Sequence, residues 1–318
     1  MNMFTDTTQP ADAKPSQDMA DIERGLLNPL TMRARRPMNI PAVEKLYRGM
    51  SSRLRLLPDF LVIGTQRGGT TALYHYLKTH PGIHSVTTTD THFFDKKFHK
   101  GLDWYRAHFP TRFEKVYTQR IRRQSFVTGE ASSSYLSYPH APRRVAQVLP
   151  QVKLIVLLRN PVDRAYSQYY HTCELGYETL SFEQAIQAEE ARIGSEREKI
   201  LEDEHYYSDA YKHQSYLSRG IYVDQLQSWM DLFPREQFLI LKSEGFYADP
   251  VTTFKQVSAF LNLQDVEPQL RKQEYKYYAH NTYYSGMEPA LRQRLLEYFA
   301  PHNARLYELL GVNFGWDQ

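Results

Sequence analysis

Pro58-Asp59-Phe60-Leu61-Val62-Ile63-Gly64-Thr65-Gln66-Arg67-Gly68-Gly69-Thr70-Thr71-Ala72-Leu73 is the stretch that decides the fold. Phe60 to Ile63 is a short continuous apolar run that stops at Gly64, the pattern of a parallel strand buried on both faces. From Thr70 to Lys78, residues Ala72, Leu73, Tyr76 and Leu77 recur at helical spacing, and Pro81-Gly82 ends the helix. Strand, glycine-rich loop and helix in this order can hold an anion. The glycines let backbone N–H groups approach closely, and the helix N-terminus adds a favourable dipole.

The loop is not that of an NTPase. Gly64 and Gly69 have the spacing of GxxxxGK[ST], but Thr70 stands where the lysine belongs, and the cation sits inside the loop as Arg67. A kinase or ATPase needs that lysine on the β/γ-phosphates, together with magnesium. Gln66, Arg67, Gly68, Gly69, Thr70 and Thr71 therefore suit an anion that needs fewer neutralising groups. A purely structural glycine turn is the competing assignment.

Further along the chain the strand pattern returns at Lys153–Leu158, closed by Arg159-Asn160-Pro161, and again at Phe238–Leu241. Helical patterns cover Pro142–Leu149, the run through Tyr222, Leu226, Trp229 and Met230, then Val251–Leu261 and Pro289–Leu310. This alternation predicts a single α/β domain, a central parallel sheet flanked by helices, with ligands bound beyond the carboxyl ends of the strands. Arg159 lies at such an end, and Ser167 is two turns into the next helix. A guanidinium and a hydroxyl so placed suit a phosphate; a surface ion pair of Arg159 with Asp163 is the alternative. The domain is expected to span 58–318. Residues 1–57 read as an N-terminal arm, disordered to about residue 20 by composition and then basic through Arg33-Ala34-Arg35-Arg36 and Arg53-Leu54-Arg55.

Composition narrows the function. The chain has 318 residues, 42% hydrophobic and 24% charged, which supports a sizeable core. A net charge of +3 argues against a strongly basic nucleic-acid binder yet suits an anionic ligand. Cys173 is the single cysteine, so neither an intramolecular disulfide nor a cysteine metal site can form. The histidines lack metal-site spacing, and no metal is expected. Without a leader or an apolar run of about 20 residues, no membrane span is expected and a soluble cytoplasmic protein is the simplest reading.

The quoted stretch, with His80-Pro81 after its helix, resembles the 5′-phosphosulfate loop of sulfotransferases that use PAPS (3′-phosphoadenosine 5′-phosphosulfate). It is closest to the heparan sulfate branch and its bacterial relatives. Thr91-His92-Phe93-Phe94-Asp95 with Gly101-Leu102-Asp103-Trp104-Tyr105 is similar to that branch's acceptor side. Leu157-Leu158-Arg159-Asn160-Pro161-Val162-Asp163-Arg164-Ala165-Tyr166-Ser167 resembles its 3′-phosphate motif. Gly220-Ile221-Tyr222 with Trp229 and Phe233-Pro234, and Tyr298-Phe299-Ala300-Pro301-His302-Asn303, extend the likeness from residue 58 to the C-terminus.

The resemblance implies sulfuryl transfer from PAPS to a hydroxyl or amine, with release of PAP. It points to a carbohydrate acceptor, with a small natural-product hydroxyl as the alternative. A P-loop kinase or NTPase and a non-catalytic nucleotide-binding protein are the rivals from other classes. It implies Arg159 and Ser167 on the 3′-phosphate, Arg67 and the loop amides on the sulfuryl group, and Glu130, Phe93 and Lys96 toward the acceptor. The acceptor proton needs a base within hydrogen-bond reach. Similar glycan enzymes place a glutamate as base two residues before this histidine. That implies Asp90 here, with His92 orienting the acceptor or sharing the proton; the converse has His92 as base and Asp90 as its partner. A loop pair without chemistry is the bland assignment for both.

Two departures from the family pattern stand out. In Gly129-Glu130-Ala131-Ser132-Ser133-Ser134-Tyr135-Leu136 the related enzymes carry Glu-Lys, and the lysine position is Ala131 here. Arg67, Lys96 and Lys97 are the candidates to take over its charge, while Glu130 either meets the acceptor or orders the loop. Late in the chain, His280-Asn281-Thr282-Tyr283 replaces a Lys-Gly-Arg type loop, so that Asn281 and Thr282 would be the cofactor contacts. The cysteine pair that braces this loop in the animal enzymes is missing, in keeping with a reducing compartment.

Overall fold

The structure is a computed structural model and describes residues 42–84, 86–268 and 286–317. Five parallel strands form one sheet in the order β2-β3-β1-β4-β5. They are β1 (Phe60–Gly64), β2 (Ile83–His84), β3 (Val127–Ala131), β4 (Lys153–Leu158) and β5 (Phe238–Lys242). The helices that flank the sheet or lead into the site are α1 (Ala42–Met50), α2 (Thr70–Leu77), α3 (Arg112–Arg120), α4 (Ala141–Val148), α5 (Pro161–Glu174), α6 (Tyr222–Met230), α7 (Pro250–Phe260) and α8 (Pro289–Leu310). Among the described residues no helix is long and apolar enough to cross a membrane.

The apolar runs form the strands the sequence predicts, because β1 and β4 lie inside the sheet with both faces covered. Every residue of β1 is buried, as are Leu154 to Leu158 of β4. β3 and β2 escape the apolar-run criterion. β3 reads Val-Thr-Gly-Glu-Ala, and its Thr128 and Glu130 are wholly buried, supported by side-chain hydrogen bonds rather than by apolarity. Gly129 is required there: a Cβ would lie 2.5 Å from the carbonyl oxygen of Phe60, the residue it faces across the ladder.

The packed chain begins ahead of Pro58. Arg55, buried after α1, donates to the Phe109 carbonyl at 2.8 Å, and Leu56 N donates to Pro110 O at 2.9 Å. Residues 269–285, which include Asn281 and Thr282, lie outside the described residues.

This strand order creates the site. After β1 the chain moves to one side of the sheet, toward β2 and β3. After β4 it moves to the other, toward β5. The carboxyl ends of adjacent β1 and β4 are therefore a topological switch point, where two loops diverge and leave a crevice. Pro161 and the Asn160 cap, whose Oδ1 accepts from Val162 N at 3.0 Å, turn β4 directly into α5.

Candidate active site

The loop from Thr65 to Gly69 is held tightly across the crevice. Thr65 N donates to Leu157 O at 2.9 Å, and Gly68 N donates back to Thr65 O at 3.0 Å. Gly68 fits only as glycine, since a Cβ would sit 2.6 Å from the Leu157 carbonyl oxygen. Gly69 has φ +97 and Arg67 φ +68, a left-handed conformation that is costly for an arginine. Ser243 Oγ braces the turn by donating to Gly68 O at 2.7 Å. α2 then begins at Thr70 with no side-chain cap, so its first N–H groups face the crevice mouth as an anion site does.

The second cation converges on this loop. Arg159 Nη1 donates to Arg67 O at 3.2 Å, and Arg67 Nε donates to Ser167 Oγ at 3.0 Å. Tyr222 OH fixes the Arg159 backbone by donating to its carbonyl at 2.9 Å. Asp163 is engaged by Arg292 at 2.6 Å, so the ion pair weighed for Arg159 goes to another partner. Gln66, Arg67, Gly68, Gly69, Thr70, Thr71, Arg159 and Ser167 thus form one wall, lined by two guanidiniums and the start of a helix.

Across the crevice, Asp90 and His92 sit on a loop organised from beneath by Glu130. That carboxylate is fully buried at the carboxyl end of β3. It accepts from Thr91 Oγ1 at 2.6 Å, Thr91 N at 3.1 Å, Tyr105 OH at 2.8 Å, Tyr135 OH at 2.9 Å and Ser132 Oγ at 2.9 Å. The same groups hold the next residues: His92 N donates to Ser132 Oγ, and Phe93 N to Tyr135 OH. Burial pushes the Glu130 carboxyl up and drives both tyrosine phenols well above their usual range.

Two expected acceptor contacts are corrected by this arrangement. Glu130 has no exposed surface, and Phe93 is 1% exposed, its ring stacked on Tyr105 with centroids 4.3 Å apart. Neither can meet a ligand; both support the loop. Lys97 likewise turns to the Thr91 carbonyl at 3.0 Å and lies over Trp104.

His92 has φ +54 and stands between two carboxylates. Its Nδ1 is 2.9 Å from Asp95 Oδ2, and its Nε2 is 3.5 Å from Asp90 Oδ1. Ser134 Oγ donates to the same Asp95 oxygen at 2.6 Å. Desolvation lowers the His92 pKa, but the hydrogen bond and charge of Asp95 and the charge of Asp90 outweigh it, and the net shift is upward. Asp95 shows the complement. Burial raises it, and the His92 and Ser134 hydrogen bonds bring it below the usual carboxylate range. Asp90 is raised, chiefly by desolvation, although half its side-chain surface faces the cleft.

A cavity of about 230 Å³ touches Asp90, His92, Asp95 and Lys96, and meets the loop wall at Gln66. It also touches Lys212 and Arg219, which sequence reasoning missed, as it missed Asp95 as the partner of His92. Lys96 is lowered by desolvation and by the nearby charges of Lys212 and Arg219. A larger cavity, about 510 Å³, adjoins it across Tyr211 and Arg219. A histidine with an acidic residue three places on, as His92 has Asp95, and the place of Arg219 just before Gly220-Ile221-Tyr222 were the hints to these additions; Lys212 comes from a segment with no motif of its own.

The chain is similar to known proteins. Residues 57–288 match the family model described as the sulfotransferase domain. Heparan sulfate glucosamine 3-O-sulfotransferase 3B1 of Homo sapiens is 28% identical over 330 residues, covering 97% of this chain and 77% of its own length. Heparan sulfate glucosamine 3-O-sulfotransferase 6 of Homo sapiens is 30% identical over 281 residues, covering 82% and 74%. The crystal structure of a sulfotransferase from Alicyclobacillus acidocaldarius superposes with a TM-score of 0.61 at 31% identity, over 83% of this chain and 100% of that one.

Proposed function

The chain belongs to the sulfotransferase domain family, and from that premise we propose that it transfers a sulfuryl group from PAPS to a carbohydrate hydroxyl and releases PAP. The observation that carries the reading is the convergence of the Arg67 loop, Arg159 and Ser167 on one wall, whose Gln66 borders the same cavity as Asp90 and His92. The donor fits this wall. Gly68 lets the loop pack against the Leu157 carbonyl, where a Cβ would clash, the first turn of α2 has no side-chain cap, and two guanidiniums supply charge-assisted donors for phosphate. The carbohydrate reading follows the activities named for the 3-O-sulfotransferase relatives.

The donor supplies an activated sulfur whose bond to the 5′-phosphate oxygen breaks as the acceptor oxygen bonds to it, the electron pair leaving with PAP. The residues of the chain do the rest. Arg159 and Ser167 hold the 3′-phosphate. Arg67 and the loop amides hold the sulfuryl oxygens, where charge builds in the transition state. Asp90 takes the acceptor proton. His92, whose pKa is raised by the hydrogen bond and charge of Asp95 and the charge of Asp90, orients Asp90 and the acceptor. Lys96, Lys212 and Arg219 line the acceptor cavity with positive charge, which favours an acceptor that bears anionic groups.

The test is transfer of radiolabelled sulfate from PAPS to a panel of sulfated and unsulfated oligosaccharides and small alcohols. Wild type is expected to label saccharides, and Asp90→Ala to lose about 10²–10⁴-fold in kcat while still binding PAP. Labelling of small alcohols alone would refute the carbohydrate assignment. Magnesium-dependent ATP turnover, or absence of any PAP-induced rise in melting temperature, would refute the donor.

A further inference from the structure

Arg219 lies on a short 3-10 turn, Ser218–Gly220, just ahead of α6, and is 6% exposed. Taking a guanidinium out of water costs several kcal/mol unless charge and hydrogen bonds return the loss. Here the return is incomplete, although the guanidinium also lies over the Tyr211 ring, 5.8 Å from its centroid. Of the five N–H donors of an arginine, one on Nη1 goes to Gln66 Oε1 and one on Nη2 goes to Tyr211 O at 3.0 Å, while Nε has no partner. Among the described residues Arg219 forms no ion pair with a carboxylate. Glu189, the acid closest in role, already accepts from the backbone N–H groups of Tyr216, Leu217 and Ser218 at 2.9, 2.6 and 2.9 Å.

A buried cation so poorly compensated is unfavourable in the free protein and becomes favourable when an anion arrives. Its place says which anion. Arg219 forms the wall shared by the two cavities, and its partner Gln66 belongs to the loop assigned to the donor. Ala131, where the related enzymes carry lysine, is a buried methyl at the end of β3 and offers no charge.

We propose that Arg219 is a further catalytic residue, its guanidinium contacting the sulfuryl group in passage from PAPS to the acceptor and supplying the charge that Ala131 does not. The inference rests on the sulfuryl-transfer reading. Arg219 forms no covalent bond in the step. The acceptor O–S bond forms, the bridging S–O bond breaks, the proton goes to Asp90, and the guanidinium donates hydrogen bonds to nonbridging oxygens as their charge grows. Gln66 is the positioning residue that fixes the fork against the loop.

Arg219→Met keeps the aliphatic stem and removes the charge. Measured by PAPS-dependent transfer and calorimetry, it is expected to lower kcat about a hundredfold, to keep the PAP-induced rise in melting temperature, and to melt no lower than wild type. A structural brace predicts the opposite pattern, a lower melting temperature with kcat per folded molecule preserved. That result, or an unchanged kcat, overturns the proposal. Arg219→Lys covers the case of a misfolded methionine variant: it keeps charge without the fork and should lose only about tenfold, one good hydrogen bond to a charged group. Losses in Lys and Met variants that are equal overturn the proposal as well. Wild-type transfer is measured first. Its absence overturns the functional reading and this proposal together, whereas wild-type transfer with a fully active Arg219→Met overturns this proposal alone.

Discussion

His92 is flanked by Asp95 at 2.9 Å and Asp90 at 3.5 Å, and its protonation governs what each acid can do. The raised imidazole contributes stability that is complete below its unfolded pKa and is lost as pH rises through the folded value. The depressed Asp95 contributes stability that is present above its unfolded pKa and is lost as pH falls through the folded value. The pair is therefore worth most between about pH 4 and about pH 6.5. The melting temperature of Asp95→Asn should fall furthest below wild type in that window and approach it on either side; a constant gap from acid to alkaline pH would refute the linkage. Catalysis has its own limb. Because desolvation raises Asp90, kcat/KM should decline on acidification at a pH above that of an ordinary carboxylate. An acidic limb that survives in Asp90→Ala would assign the base elsewhere.

At the scale of elements, β3 is the strand whose stability depends on polar groups. Glu130 takes five hydrogen bonds from the loop and from the segments carrying Tyr105 and Tyr135, and so ties β3 to the catalytic loop. Glu130→Gln turns an acceptor into a group that also donates, and should cost about 1–3 kcal/mol by leaving buried donors facing N–H. Denaturant unfolding measures this, and kcat should fall with it because Asp90 and His92 lose their support. Gly129→Ala in the same strand should destabilise by about 1–3 kcal/mol through the contact with the Phe60 carbonyl. Its signature differs: stability falls while kcat of the folded fraction is kept. The expected elements of α2, α4 to α8, β1, β4 and β5 were legible because each carries its periodicity or apolar run locally. β2, two residues long, and β3, polar and buried, carry no such signal.

For the whole molecule, the proposed donor wall at the switch point between β1 and β4 predicts that donor binding raises global stability. Saturation with PAP to about 100 times its dissociation constant should add about 2.7 kcal/mol, seen as a rise in melting temperature of several degrees. Arg67→Ala and Arg159→Ala should each reduce that rise, since both guanidiniums line the same wall; full retention in either would remove that residue from the donor site. By itself the sequence determined the α/β architecture and the glycine loop with its displaced cation, and it singled out Arg159, Ser167, Asp90 and His92 as candidates. These are local facts: apolar runs, glycine spacing, and proline after a strand. Only the tertiary structure decided that Glu130 and Phe93 lie beneath the loop rather than toward the acceptor, that Asp95 holds His92, and that Arg219 reaches Gln66, 153 residues away in the chain. Desolvation and choice of hydrogen-bond partner depend on what the fold brings alongside, and neighbours in sequence carry no record of it.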